Sequence, residues 1–150
     1  MIKKLYEASG AGVKVNIIIR GICCLVPGIP GLSENIKVTS IVGRYLEHSR
    51  VFYFYNKGKE EIYLSSADMM QRNLDRRVEI TFPIEDSKLK TEIMRSILKI
   101  SLKDNIKSRI LLPDMTYKIH DNVDGAKKIN SQEWMMKHSI KAGGEAIEHS

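Results

Sequence analysis

The sequence predicts an α/β fold in which a mixed β-sheet is flanked by helices, and three observations carry that expectation. Leu89, Ile93, Ile97 and Ile100, with Met94, Leu98 and Leu102 beside them, form a helical stripe between Asp86 and about Lys103. Segments such as VKVNIIIRG, IKVTSIVG and EIYLSS have the alternating or nearly continuous apolar character of strands. With 150 residues, 43% of them hydrophobic, the chain is long enough for one layered domain with a real core and too short for two comfortable ones.

Taken in order, residues 2 to 9 read as the end of a helix that Gly10 and Gly12 close. In VKVNIIIRG, Val13, Val15, Ile17 and Ile19 share one face while Lys14, Asn16, Ile18 and Arg20 share the other. The run suggests an interior strand with Arg20 at its C-terminal end, where open α/β sheets usually place ligands. The Gly- and Pro-rich GICCLVPGIPGLSEN is a loop, and IKVTSIVG a second strand. RYLEHSR leads into a third strand, VFYFYN, which the turn KGKE joins to EIYLSS as a β-hairpin, with Gly58 taking the awkward backbone angle. ADMMQRNLDR is a polar loop or short helix, and RVEITFPI a strand ended by Pro83. Asp86 or Ser87 caps the long helix. Two short strands around Pro113 and Asp114 follow, then a last helix from SQEWMMKH with Ser131 as its cap, and a frayed tail KAGGEAIEHS.

Composition excludes several classes of protein. No run approaches the roughly 18 to 20 apolar residues of a membrane span, and MIKKLYEASGAG lacks the pattern of a secretory signal, so a cytoplasmic protein is expected, with membrane association conceivable only within a larger complex. Cys23 and Cys24 are sequence neighbours, which disfavours a bond between them and supplies too few ligands for zinc; both read as reduced packing residues. A net charge of +6 suits a polyanionic partner. Lysines are spread along the chain, but arginines gather around His48 and in RNLDRR, and the guanidinium fork matches phosphate oxygens.

Four polar elements remain once the core is assigned: Arg20, Arg44 with His48, Ser65 to Asp68, and Arg72 to Glu79. Three of them flank strand ends, so they can converge on one sheet edge around a phosphate-sized hole. The plain structural readings are a surface or capping histidine at 48, solvated pairs such as Arg72 or Arg76 with Asp75, and an exposed strand position for Glu79. His120, His138 and His149 take the surface reading outright.

The series VKVNIIIRGICCLVPGIPGLSENIKV, SIVGRYLEHSRVFYFYN, EIYLSSADMMQRNLDRRVEITFPI and INSQE closely resembles the C-terminal region of bacterial polyphosphate kinases, from about residue 2 to about residue 134. The resemblance implies a phospholipase D-like half: in that fold two similar α/β halves each give a histidine motif to a central site, and the ATP γ-phosphate passes reversibly to polyphosphate. Residues 1–134 are then the catalytic-half domain, and 135–150 a terminal helix end and flexible tail. His48, in YLEHSR, falls on the family's second histidine, opposite a phosphorylated histidine in the preceding half. Arg20 and His48 fall on positions that contact nucleotide phosphates. Phosphoryl transfer asks mainly for alignment and charge stabilisation, so Arg20 is expected to clamp phosphate, His48 to carry a proton or touch phosphate, and Glu79 to orient His48. Arg44, Arg50 and Arg77 are candidates for the polyphosphate path.

The implied cofactors are ATP/ADP and Mg2+, with the metal site mostly outside this chain. The implied partners are polyphosphate and the missing N-terminal portion of the kinase; a homo-oligomer stays open. Arg50 stands where the general phospholipase D pattern has lysine, and the later aspartate has no match, which favours a kinase over a lipase or nuclease. Because the half bearing the phosphorylated histidine is absent, the isolated chain is expected to be inactive. The competing readings are a dimeric phospholipase D-like phosphodiesterase and a non-catalytic module that binds polyphosphate or nucleic acid.

Overall fold

A computed structural model describes the backbone of residues 1–120 and 127–147, and side chains within these as far as residue 139. In chain order the elements are α1 (Ile2–Gly10), β1 (Val15–Ile18), β2 (Ile36–Ile41), β3 (Val51–Phe54), β4 (Glu61–Ser65), α2 (Gln71–Arg76) and β5 (Thr81–Pro83). They continue with α3 (Ser87–Ile93), α4 (Ile100–Leu102), β6 (Ser108–Leu111), β7 (Tyr117–Ile119) and α5 (Ser131–Ile147). The chain divides into two compact units, one of Met1–Leu46 with everything from Ile100 onward, the other of Glu47–Lys99. One layered domain was expected from length; each unit instead has its own sheet.

The first unit holds a sheet in the order β1-β2-β6-β7, with β1 parallel to β2 and the other pairs antiparallel. The alternation read from the sequence is what packs it: Val15, Ile17 and Ile19 lie with Leu5 and Tyr6 of α1 against a core of Leu25, Ile36, Val38 and Leu111. Each such aliphatic side chain, when fully buried, contributes about 1.5–3 kcal/mol. Two polar ties fix α1 to the sheet. The Tyr6 hydroxyl accepts from the Val26 amide at 2.9 Å, and buried Ser9 takes the Asn35 amide on its hydroxyl at 3.2 Å and the Asn35 side chain on its carbonyl at 3.0 Å.

Beyond α4 the chain turns around Asp104, which is 1% exposed. One carboxylate oxygen accepts from the Ile106 and Lys107 amides at 3.0 and 2.7 Å, the other from the amide and hydroxyl of Ser131, each at 2.7 Å. A buried carboxylate is costly unless its lone pairs are filled, and here three backbone amides and one hydroxyl fill them. Asp104 thereby joins the start of β6 to the start of α5. The next residue, Gln132, accepts from the Tyr45 amide at 2.9 Å and donates to the Tyr45 carbonyl at 2.7 Å. A Cβ on Gly43 would stand 2.3 Å from the Gln132 Oε1, so a side chain there would displace the glutamine from the Tyr45 backbone.

The second unit holds an antiparallel sheet in the order β3-β4-β5. The expected hairpin is β3 with β4, registered Val51 to Leu64 and Phe54 to Glu61. Its turn uses three consecutive residues at positive φ, Asn56 (41°), Lys57 (53°) and Gly58 (90°), two more than the glycine alone suggested. The polar segment after β4 forms α2, and Asp86 caps α3 by accepting from the Leu89 amide at 2.8 Å. Glu60 accepts from the Tyr53 hydroxyl at 2.7 Å, and this bond pushes the phenol up to about 12.

Several expectations are corrected. β1 was read as interior, but among the described residues it pairs only with β2 and lies at a sheet edge. The helix expected from Asp86 to Lys103 is interrupted by a π-helical turn at Met94–Lys99, which its apolar spacing did not reveal. Asn130 caps α5 in place of Ser131: its side-chain oxygen accepts from the Glu133 amide at 3.3 Å while its amide donates to the Glu133 carboxylate at 3.0 Å, leaving Ser131 to Asp104. The backbone of α5 stays helical through Ile147, into the segment read as frayed; His149 lies outside the described residues. Cys23 packs on the core as expected, whereas Cys24 is exposed. Asp75 pairs with neither Arg72 nor Arg76 in any ion pair of the described residues. Among these residues no helix is long and apolar enough to cross a membrane.

Replacing Asp104 by alanine leaves four donors without their acceptor, two of them on buried Ser131, and we expect it to lower the unfolding free energy by about 3 kcal/mol, read from the urea midpoint monitored by far-ultraviolet circular dichroism.

Candidate functional site

The candidate residues do not share one sheet. Arg20 and Arg44 belong to the unit containing β1 and β2, while His48, Arg50, Arg77 and Glu79 belong to the unit containing β3–β5. Arg20 is exposed in the bend just after β1, and its carbonyl accepts from the Ser40 hydroxyl at 3.5 Å. Arg44 is also exposed and stacks over the Tyr45 ring at 5.3 Å.

In the second unit the site is built from the start of β3, the end of β4, α2 and the approach to β5. His48 is exposed and lies in a short turn held by its neighbours. The Glu47 carboxylate accepts from both the amide and the hydroxyl of Ser49, and those bonds, helped by the His48 ring, hold the Glu47 carboxyl below its ordinary range. Arg50 fixes the other side of the turn. Its Nη1 donates to the His48 carbonyl at 3.0 Å, while Nε and Nη2 reach one oxygen of Asp68 at 3.0 and 2.9 Å. The imidazole itself makes no hydrogen bond among the described residues and is left facing solvent.

Glu79 lies beside this pair, just ahead of β5. One of its oxygens accepts from the Ser66 hydroxyl and the other from Asn73 Nδ2 at 2.9 Å. Ser66 and Asn73 hold the Glu79 carboxyl below its ordinary value, with smaller help from Arg77 and Arg50. Ser66 Oγ also takes the Ile80 amide at 3.0 Å, so the same hydroxyl sets the carboxylate and the chain that bears it. Asn73 is 3% exposed and its Oδ1 has no partner among the described residues. Among the described residues Glu79 bonds with Ser66 and Asn73; the reading from sequence had it orient His48. Arg77 is exposed near Glu79.

Sequence reading singled out His48, Arg50 and Glu79, placed Ser66, Asp68 and Asn73 only as members of the polar elements Ser65 to Asp68 and Arg72 to Glu79, and did not single out Glu47. For Asp68 a signal existed. The hairpin register continues from Val51 and Leu64 to Arg50 and Ser65, where the Ser65 amide donates to the Arg50 carbonyl at 2.9 Å, and Asp68 follows three residues later. Asn73 had none, because a single asparagine in RNLDRR reads as surface.

The arrangement presents cationic and imidazole donors suited to anionic oxygens, backed by carboxylates that are already satisfied. The described residues gather no group of three or more His, Cys, Asp or Glu side chains able to hold a metal ion. The fold is α/β, and the phospholipase D-like half anticipated for it is the fold of the solved kinase that it matches. A family model described as polyphosphate kinase C-terminal domain 2 matches residues 1–132. The chain is 56% identical over 137 residues to a polyphosphate kinase of Bacillus anthracis, covering 91% of this chain and 19% of that protein. It is 51% identical over 150 residues to one of Staphylococcus haemolyticus, covering 100% of this chain and 20% of that protein. The crystal structure of polyphosphate kinase from Porphyromonas gingivalis superimposes with a TM-score of 0.88 at 44% identity, covering 97% of this chain and 22% of that one. The chain belongs to the polyphosphate kinase C-terminal domain family, and it spans about a fifth of the length of the curated relatives it matches.

Because Glu79 is held as a carboxylate below its ordinary value of 4.5, its contribution to stability is present above that pH and is lost as pH falls through the lowered value. Glu79→Gln is therefore expected to flatten the acid limb of the stability profile between about pH 5 and 3, measured by denaturant unfolding across that range.

Proposed function

We propose that this chain contributes the second half of an ATP:polyphosphate phosphotransferase site. The observation that carries this reading is the identity of about half of all residues to proteins named polyphosphate kinase, over spans of 137 and 150 residues. In this reading Arg20 clamps nucleotide phosphate and His48 contacts phosphate or carries a proton on its exposed imidazole. ATP would supply the phosphoryl group to polyphosphate and leave as ADP, the reverse direction returning it to ADP, and Mg2+ held mostly outside this chain would neutralise its charge.

The second unit adds roles for its own residues. Arg50, committed to Asp68 and to the His48 carbonyl, positions the histidine turn instead of tracking polyphosphate. Glu79 keeps negative charge next to that turn and draws Ser66 and Asn73 into place. Arg44 and Arg77, both exposed, remain the residues for the polyphosphate path. The protein acts in the cytoplasm, and the rest of a kinase is its partner.

The test is polyphosphate synthesis from ATP and magnesium by this chain alone and by this chain co-expressed with the remaining portion of the Staphylococcus haemolyticus kinase. We expect no synthesis by the chain alone, restored synthesis by the pair, and at least about a 100-fold loss with His48→Ala, the scale of a removed electrostatic or acid–base group. Synthesis by the isolated chain, or a restored activity indifferent to His48→Ala, overturns the reading.

A further inference from the structure

Tyr45 is 47% exposed, yet it is held at both of its ends. Its backbone is clasped by buried Gln132, whose Oε1 accepts from the Tyr45 amide at 2.9 Å and whose Nε2 donates to the Tyr45 carbonyl at 2.7 Å. Its hydroxyl donates to the Met136 sulfur at 3.4 Å. Gln132 and Met136 stand four residues apart on α5, so they share one face of that helix and reach the tyrosine together. A surface tyrosine tied only through its backbone keeps its side-chain torsions; the tie at the hydroxyl removes that freedom.

The ring so fixed carries a guanidinium. Arg44 Cζ stands 5.3 Å from the Tyr45 ring centroid, and Arg44 is exposed. A ring face holds a guanidinium without taking up its N–H donors, which stay in their plane and point at whatever approaches beside the ring. Arg50 shows the other way to fix an arginine: its donors are spent on Asp68 and the His48 carbonyl. An arginine ordered before its ligand arrives gives up less rotamer freedom on binding, so the stack raises affinity without touching the ligand. All four residues, Arg44, Tyr45, Gln132 and Met136, belong to the first compact unit.

We propose that Tyr45, Gln132 and Met136 are positioning residues for phosphate binding by Arg44: the first turns of α5 fix the ring, the ring fixes the guanidinium, and the guanidinium meets the oxygens of a polyphosphate chain already ordered. The proposal deepens the reading of Arg44 given above and rests on it for the ligand. Since none of the three is assigned a contact with phosphate, each acts only while Arg44 is present.

The first measurement is nuclear magnetic resonance of the 13C,15N-labelled chain alone. The Arg44 δ protons should lie upfield through the ring current of Tyr45 and return to ordinary positions in Tyr45→Leu, which keeps the backbone clasp; added inorganic polyphosphate should move the Arg44 Nε–H signal. The second follows ATP formation from ADP and polyphosphate by the chain co-expressed with the remaining portion of the Staphylococcus haemolyticus kinase. Arg44→Gln should raise the polyphosphate KM about 10-fold and Tyr45→Leu about 5-fold, each leaving the ADP KM within about twofold, and the double variant should match Arg44→Gln alone. Tyr45→Phe keeps the ring and should restore most of the affinity that Tyr45→Leu loses. Gln132→Met should act as Tyr45→Leu does; where it fails to fold by circular dichroism, the two Tyr45 variants carry the test. Arg44 protons at ordinary positions in the unaltered chain, an Nε–H signal indifferent to polyphosphate, a fall in kcat with unchanged polyphosphate KM, or effects of Tyr45→Leu and Arg44→Gln that multiply overturns the proposal. A co-expressed pair that forms no ATP, while polyphosphate still moves the Arg44 signal and does so less in Tyr45→Leu, would count against the catalytic reading and leave this one standing.

Discussion

The first unit is organised around one buried carboxylate. Asp104 has no cation beside it in any ion pair of the described residues; its charge is met by three backbone amides and one hydroxyl. One of these amides, that of Ser131, opens a helix of 17 residues, whose N-terminal amides and aligned dipoles favour negative charge. The result is a joint between three elements: the turn after α4, the first residues of β6 and the start of α5. An arginine partner would balance that charge but could reach it from many directions. Backbone donors have fixed positions, so satisfying all of them selects one path for the chain.

The next link follows from that selection. With Ser131 fixed, Gln132 is placed to clasp the Tyr45 backbone from both its donor and its acceptor atoms. The approach is so close that position 43 cannot carry a Cβ without moving the glutamine. A contact spanning 87 residues of sequence thus rests on the identity of a single glycine. Tyr45 in turn offers its ring to Arg44 and its hydroxyl to the Met136 sulfur at 3.4 Å, so the residues just before the histidine motif are anchored to the first turns of α5.

How much of this was legible in the sequence depended on the range of the interaction. Period-2 alternation located β1, β2 and β4, and the apolar face chosen for β1 is the one that meets the core, because both follow from nearest neighbours along the chain. The hairpin turn was legible from Gly58, although the positive φ of Asn56 and Lys57 was not. What failed were the features set by distant partners. Ser131 looked like a cap because serine usually is one; only Asp104, 27 residues earlier, diverts it and leaves capping to Asn130. The π-helical turn keeps its leucines and isoleucines, and one extra residue in a turn leaves no mark on composition. At the site, His48 and Glu79 stood out as residue types, but their partners come from other elements, and neither Ser66 nor Asn73 differs in sequence from a solvated neighbour.

The site also shows why a count of charges misstates what a polyanion would meet. The net charge of +6 includes Arg50, whose guanidinium is already bound to Asp68 and to a backbone carbonyl. An incoming phosphate would have to break a 2.9 Å ion pair and a 3.0 Å bond to recruit it, and would loosen the histidine turn in doing so. Arg44 gives up far less, since a guanidinium stacked on an exposed tyrosine keeps its N–H groups in the plane and open to oxygens. Glu79 pulls in the opposite direction: with both oxygens satisfied by neutral donors, it stays charged without being neutralised and adds negative potential to its own unit. In each compact unit, then, a carboxylate whose oxygens are met by neutral donors fixes the backbone around it: Asp104 joins the start of β6 to the start of α5, and Glu79 draws Ser66 and Asn73 together.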